Sequence, residues 1–157
     1  MIQTIINEPL TLTSNSSPIV FDATNIRTRC AYCCNNGWLD YENGNPIFKI
    51  FGNNYNGYYN VNFNASVSSA TAGVVAIGLY EDGVLIPDTV RAVTLDAADD
   101  YETISINRKL RICPRGTSSI TIGSVPSVPT PTDPTTPITT QIPIIVSGTF
   151  SLSRSNN

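Results

Sequence analysis

Residues 59–67 alternate between apolar and polar side chains without a break. The apolar positions are Tyr59, Val61, Phe63, Ala65 and Val67, and every residue between them is Asn or Ser. Successive side chains of a β-strand point to opposite faces of its sheet, so this pattern predicts a strand with one buried face and one solvated face. A helix would need an apolar residue at every third or fourth position, which the segment does not supply.

Most of the remaining chain also consists of short β-prone runs that end at Gly, Pro, Asn or Asp. The predicted strands are 10–13, 18–21, 47–51, 74–80, 84–86, 90–95, 103–106, 110–113, 119–122 and 144–152. Asp82-Gly83 predicts a hairpin turn, and residues 97–100 are the one place for a brief helical turn. Because no amphipathic helix of ordinary length fits the sequence, we predict an all-β antiparallel sandwich or barrel.

Two segments interrupt the strand pattern. Residues 35–46 form a polar stretch that carries Trp38 and Tyr41, and it is predicted to be a loop. Residues 124–143 contain six prolines with threonines between them, and strand signals lie on both sides of this insertion. Proline cannot donate to a strand ladder and favours extended geometry. The insertion is expected either to project and touch a neighbour or a receptor, or to be a mobile surface loop.

The 157 residues are enough for one domain with a single core. Residues 1–18 are expected to be an N-terminal strand or anchoring segment, and 19–157 the main domain. Ile2, Ile5 and Ile6 are candidates for docking on a larger particle, and the alternative is an ordinary edge strand of the domain.

The sequence shows no secretory signal and no apolar run near the roughly 20 residues that cross a bilayer. We therefore expect synthesis in a cytoplasm, no export by that route, and no membrane partner.

Charged residues make up only 13% of the chain, and Asn, Ser and Thr supply most of its polarity. Such a surface suits a protein whose sides are covered by identical copies, because few charges would have to lose their hydration. The alternative is an ordinary uncharged surface.

The net charge is −3, and the densest basic cluster is Arg108, Lys109, Arg111 and Arg115, which is predicted to be a solvated strand face. We expect no nucleic-acid partner, since phosphate binding needs clustered cations.

The absence of histidine removes the commonest general base and the Ser-His-Asp and Cys-His arrangements. The carboxylates of Glu81, Asp82, Asp99 and Asp100 fall in predicted turns or loops, which are ordinary solvated positions. Nothing in the sequence indicates a pair of carboxyl groups in an apolar pocket. We expect no enzymatic activity and no cofactor.

Four cysteines leave three alternatives open. Cys30, Cys33 and Cys34 lie close together, and Cys113 is far along the chain. The spacing of Cys30 and Cys33 could chelate zinc, but a structural zinc site usually has a second pair of that kind, which is missing here. Reduced thiols and a disulfide that joins Cys113 to the cluster remain possible. No metal site is predicted.

Four aromatic residues, Trp38, Tyr41, Tyr55 and Tyr58, are candidates for surface recognition. Exposed aromatics along a shallow groove would be typical of a carbohydrate-binding module, with a host-surface glycan as its partner. The same residues could instead pack between subunits.

The segment from Gly57-Tyr58-Tyr59 to Ile86-Pro87 resembles small structural proteins of phages and prophages of gut Firmicutes. It is similar, more distantly, to the trimeric jelly rolls of the TNF and C1q type. The shared pattern is a strand that begins Gly-Tyr-Tyr, a turn of small residues, an apolar strand, and a turn of the form Gly-Val-x-Ile-Pro. The strand that ends at Cys113 and the upstream cluster of Cys30, Cys33 and Cys34 extend the resemblance, which covers residues 19–122.

The resemblance implies a homotrimeric jelly roll displayed on a virion. The implied roles are a capsid decoration or head-fibre protein that docks on the major capsid protein or another virion protein. A tail or baseplate receptor-binding protein is the alternative role. The insertion at 124–143 departs from the family pattern.

Overall fold

The computed structural model describes residues 1–27, 38–42, 44–52, 57–113, 115–129 and 135–155, which form a sandwich of two antiparallel β-sheets. Sheet A contains β1 (Ile2–Ile6), β2 (Leu10–Thr11), β3 (Ala23–Arg27), β6 (Gly57–Ser68), β10 (Glu102–Ile112) and β14 (Ile144–Arg154). Sheet B contains β4 (Trp38–Asp40), β5 (Phe48–Phe51), β7 (Gly73–Glu81), β8 (Val84–Leu85), β9 (Arg91–Leu95) and β11 (Thr117–Ser124). A hairpin of β12 (Ser127–Val128) and β13 (Ile138–Thr139) lies outside both sheets.

The strand order identifies the sandwich as a jelly roll. Sheet A runs β10-β6-β14-β1-β3, and sheet B runs β4-β5-β11-β7 with β8 and β9 both paired to β7. The eight principal strands in chain order are β1, β5, β6, β7, β9, β10, β11 and β14. Numbered one to eight, they give the order 1-8-3-6 in sheet A and 2-7-4-5 in sheet B. Two interlocked Greek keys of this kind define a jelly roll, so the predicted all-β, single-domain jelly-roll sandwich is confirmed.

The core is built on the alternating strand β6. Phe63 lies opposite Phe150 of β14 on one side and Ile106 of β10 on the other, and all three side chains are fully buried. Phe21 and Phe48 complete an aromatic cluster, with 4.1 Å between the ring centroids of Phe48 and Phe150. The residues predicted to face the core are buried as expected, namely Val61, Phe63, Ala65, Ile77 and Leu79.

Strand β1 is an integral part of sheet A. It pairs with β14 on one side and with β3 on the other. Ile2 and Ile6 point into the core and are buried, whereas Ile5 is half-buried on the opposite face. A docking role for Ile2 or Ile6 would therefore require β1 to leave the sheet.

Several local predictions are corrected by the structure. Trp38–Asp40 is a strand rather than part of a loop, and Tyr41, which follows it, is buried in the core. The helical turn lies at Pro87–Thr89 instead of 97–100, because proline at the first position presets the helical φ angle. The predicted strands 103–106 and 110–113 are parts of one continuous strand, Glu102–Ile112.

The hairpin predicted at Asp82-Gly83 is present. Asp82 and Gly83 have φ angles of 51° and 79°, as a turn with two left-handed residues requires. The turn joins β7 to β8, and it places the carboxylate of Asp82 against β11. There Asp82 accepts hydrogen bonds from the backbone N–H of Ser119 at 2.7 Å and from its hydroxyl at 3.0 Å. The Asp82 carboxylate therefore stabilises the turn by binding it to β11.

The described residues of the Pro/Thr-rich insertion, 124–129 and 135–143, fold back onto the outer face of sheet B. The backbone N–H groups of Val125 and Gln141 donate to the carbonyl oxygens of Ala76 and Val74, at 2.9 and 2.7 Å. Both arms of the insertion are thereby fastened to β7, beside the half of that strand that β11 does not reach.

A second, smaller hydrophobic cluster holds the insertion in place. Val125 and Val128 pack against Ala76, and Val74, Leu85, Val90 and Ile138 are partly buried around them. This cluster lies on the opposite face of sheet B from the main core. We call the folded insertion the cap. The expectation of a projecting loop is wrong for the described residues of the insertion, since their apolar side chains gain more by covering β7 than by facing water.

We predict that Phe63→Ala lowers the free energy of unfolding by about 3–5 kcal/mol, because it leaves a cavity in the core where the ring packs against Phe21. Urea unfolding followed by circular dichroism measures the change. Asn107→Ala, on the exposed side of β10, is the matched control and should stay within about 0.5 kcal/mol of the wild type. A loss below about 1 kcal/mol for Phe63→Ala would contradict the core position and the register of β6.

We also predict that Thr4→Val raises the free energy of unfolding by about 1–2 kcal/mol. Thr4 is fully buried, and its hydroxyl has no hydrogen-bond partner in the described part of the chain. Valine has nearly the same shape and carries no polar atom that must lose its hydration. The same unfolding measurement applies. Destabilisation by the substitution would show that the hydroxyl is satisfied in solution.

Candidate interaction surface

The outer face of sheet A is covered by uncharged polar side chains. We call this surface the sheet A face. It is formed by the residues of β1, β14, β6 and β10 that alternate with the buried ones, so the pleat itself brings them together. In strand register, one row is Gln3, Ser151, Asn62 and Asn107, and the next row is Ile5, Thr149, Asn64 and Ser105.

Hydrogen bonds between neighbouring strands order part of the sheet A face. The hydroxyl of Ser105 donates to Oδ1 of Asn64 at 2.6 Å. Nδ2 of Asn62 donates to the hydroxyl of Ser151 at 3.5 Å, which is a long contact. These bonds fix amide groups that would otherwise rotate freely, so a partner would meet a partly preorganised surface.

A depression of about 400 Å³ lies on the sheet A face beside the end of β1. Its lining includes Ile5, Asn64, Ser66, Thr103 and Thr149. Amide and hydroxyl groups surround the half-buried side chain of Ile5, which leaves one apolar spot within a polar field. The docking role of Ile5 stays a prediction, and its side chain lies on the accessible side of the sheet.

The basic residues of β10 separate into two groups. Nζ of Lys109 lies 4.7 Å from the centroid of the Tyr58 ring, which is a cation–π contact at one end of the sheet A face. Arg111 lies opposite Tyr58 in the strand register. Arg108 points the other way and forms an ion pair with Asp88 of the 3-10 helix. Because both partners are exposed, this pair adds little stability. Arg115 lies in the turn before β11, away from the strand face on which it was predicted.

The four aromatic residues proposed for surface recognition do not form one exposed platform among the described residues. Tyr41 is buried, its ring stacks on Phe48 with 4.3 Å between centroids, and its hydroxyl donates to the carbonyl oxygen of Phe21 at 3.3 Å. A ligand cannot reach it, so its assignment to surface recognition is wrong. Tyr58 is half-buried on the sheet A face. Trp38 lies in β4 opposite Phe51, and Tyr55 lies outside the described residues.

The cysteine predictions rest mostly on residues outside the described ranges, because Cys30, Cys33 and Cys34 all fall there. Cys113 follows β10, is exposed, and forms no disulfide with another described residue. Within the described residues, no group of three or more His, Cys, Asp or Glu side chains could hold a metal ion. No helix in the described part of the chain is long and apolar enough to cross a membrane.

No protein-family model matches the sequence, and no characterised protein matches it either. Among solved structures, the chain is similar to the globular domain of zebrafish complement 1qA protein at 10% identity. That similarity has a TM-score of 0.48 and covers 97% of this chain and 94% of that one. A family 35 carbohydrate-binding module from Clostridium thermocellum is similar at 12% identity, with a TM-score of 0.33 over 96% of this chain and 95% of that one.

A family 35 carbohydrate-binding module from Cellvibrio japonicus is similar at 10% identity, with a TM-score of 0.31 over 98% of both chains. The jelly-roll part of the expected resemblance is confirmed by the strand order described above. The resemblance to phage structural proteins stays a prediction.

Burial raises the pKa of three tyrosines. Loss of hydration raises the pKa of Tyr41, Tyr59 and Tyr80 above the ordinary value of 10.0. For Tyr41 the charge of Asp22 raises the pKa further, and for Tyr59 the charge of Arg154 opposes the rise. The folded protein therefore holds these phenolic protons more tightly than the unfolded chain does.

We predict that the contribution of these three tyrosines to the free energy of unfolding is fully present up to about pH 9 and is lost as the pH rises above 10. The stabilising effect of a raised pKa is complete below the unfolded value and is lost as the pH passes the folded value. Urea unfolding across this pH range, together with the ultraviolet absorbance of phenolate, measures both quantities. Tyr101→Phe, which alters an exposed tyrosine, should leave the dependence unchanged. Stability that rises above pH 10 would contradict the burial of these phenols.

Proposed function

We propose that this chain is a non-enzymatic structural protein that associates with itself through the sheet A face and decorates a phage particle as a homotrimer. The observation that carries the proposal is the chemistry of that face. Its side chains are amides and hydroxyls over most of its area, and its described cations, Lys109 and Arg111, lie at one end. When a partner covers this surface, almost no charged group has to lose its hydration, so the desolvation cost of association is small.

The two outer faces of the sandwich differ in a way that supports this choice. The cap covers the outer face of sheet B around Val74 and Ala76, so the protein's own chain already occupies that part of the surface. The sheet A face has no such cover among the described residues. Many of its side chains are half-buried within the single chain, so contact with a second copy would remove less water from them.

The number of copies and the location come from the resemblance to trimeric jelly rolls and to phage structural proteins. A closed ring of three copies is built from heterologous contacts, so each chain contributes two different patches, one to each neighbour, and no open end is left for further addition. The partner on the particle is the major capsid protein or another virion protein. The far end of each sandwich stays in solvent in this arrangement, which suits a capsid decoration or head-fibre role.

We predict that Asn62→Arg disrupts self-association without unfolding the domain. Asn62 lies at the centre of the sheet A face, and an arginine there would place a charge without a partner in every interface. Such contacts cost several kcal/mol, so the dissociation constant should rise more than a hundredfold. Sedimentation velocity over a range of micromolar concentrations measures the oligomeric state.

The matched control is Thr94→Arg, which adds the same side chain at an exposed position of β9 in sheet B and should leave the trimer intact. Thermal unfolding of both variants verifies the fold. A wild-type protein that stays monomeric throughout the range, or an Asn62→Arg protein that stays trimeric, would overturn the proposed interface. Co-sedimentation with purified phage particles, followed by electron microscopy, tests the decorating role separately.

A further inference from the structure

The outer face of sheet B carries an aromatic ring held flat against the sheet. Tyr80 lies opposite Thr121 of β11, yet its hydroxyl donates to the carbonyl oxygen of Ser124, three residues further along that strand, at 2.8 Å. The ring must therefore lie along the sheet surface rather than point into solvent. The ring lies next to Gly123, since a Cβ atom placed on that glycine would be 3.4 Å from Cε2 of Tyr80, an ordinary contact distance.

A small hollow of about 220 Å³ adjoins this ring. Its lining residues are Ser16, Pro18, Tyr80, Gly83, Thr121 and Gly123. Pro18 forms an isolated bridge with Gly123, and the segment before it supplies the second wall. Tyr80 is half-buried, so part of its ring remains accessible from the hollow.

The chemistry of the hollow restricts its ligand in three ways. Its volume is below the roughly 300–1,000 Å³ of sites for drug-sized ligands, so it fits a single ring. None of its lining residues is charged, which favours a neutral ligand. An aromatic ring flanked by the hydroxyls of Ser16 and Thr121 offers both a stacking surface and hydrogen-bonding groups.

We propose that the hollow beside Tyr80 binds one pyranose ring of a neutral saccharide. One face of a pyranose presents C–H groups with partial positive charge, which are attracted to the negative face of an aromatic ring. The sugar's hydroxyl groups then meet the hydroxyls of Ser16 and Thr121. A proline ring of a peptide is a weaker fit, because proline-rich segments are bound in grooves lined by several aromatics and this hollow contains one.

The hollow lies on the opposite side of the sandwich from the sheet A face. It therefore remains open when copies associate through the sheet A face, and the binding of saccharide does not depend on self-association. Saccharide binding at the hollow and self-association through the sheet A face are therefore independent, so either can be wrong while the other holds.

The test uses the full chain and a panel of four probes: methyl β-glucopyranoside, methyl β-galactopyranoside, N-acetylglucosamine and rhamnose. Titration of the backbone amide signals by nuclear magnetic resonance locates any binding. We expect at least one sugar to bind with a dissociation constant on the order of millimolar, as befits a ligand of about a dozen heavy atoms. The largest shifts should be those of Gly83, Thr121 and Gly123.

Three variants test the roles of the lining residues. Tyr80→Leu should weaken binding at least tenfold, because it removes the stacking surface. Thr121→Val keeps the shape of the side chain and should weaken binding severalfold through the lost hydroxyl. Tyr101→Leu alters an exposed tyrosine between β9 and β10 and should leave binding unchanged. If Tyr80→Leu does not fold, the test uses Thr121→Val and Tyr80→Phe instead. Tyr80→Phe removes the hydroxyl that bonds to Ser124 and so frees the ring.

Two results would overturn the proposal. One is the absence of binding by all four sugars, or amide shifts that map to another surface. The other is binding of N-acetylproline methylamide at these residues with no sugar bound there, which would assign the hollow to a proline ring.

Discussion

The pairing of β6 with β10 on one side and β14 on the other is the constraint on which this sandwich depends. Eleven residue pairs join β6 to β10, and the pairing with β14 runs almost the length of β6. Because side chains alternate along a strand, this register sends Phe63, Phe150 and Ile106 to the core together. It also sends the amides and hydroxyls of the same strands to the opposite side. The core and the sheet A face are thus two results of one register.

Sequence reasoning predicted the elements whose signal is local. The alternation of residues 59–67 and the Asp82-Gly83 turn carry their geometry in a few neighbouring residues, and both are present in the structure. The run from Val74 to Tyr80, which was predicted as a strand, is apolar on both faces. The structure shows why, since the main core covers one face and the cap covers much of the other.

The features that sequence reasoning missed depend on distant partners. Strands β3 and β4 are short, and pairing with β1 and β5 decides their conformation. Tyr41 follows a polar stretch, but its ring fits against Phe48, which a sequence pattern cannot reveal. Val125, Val128 and Ile138 are scattered among prolines, so their common cluster emerges only after β7 is in place. Tyr80 lies within an apolar run, and nothing in the neighbouring sequence indicates that its hydroxyl reaches Ser124.

The cap has its own hydrophobic cluster, separated from the main core by the thickness of sheet B. Its few hydrogen bonds to β7 can break while the pairing of β6, β10 and β14 stays intact, so the cap should open at a lower free energy than the sandwich unfolds. Amide protons of Val125 and Gln141 would then exchange with solvent long before those of β6. Natural selection can also act on the two parts separately. The cap is free to change in length and composition among descendants of this chain, provided that a few apolar side chains still cover Val74 and Ala76.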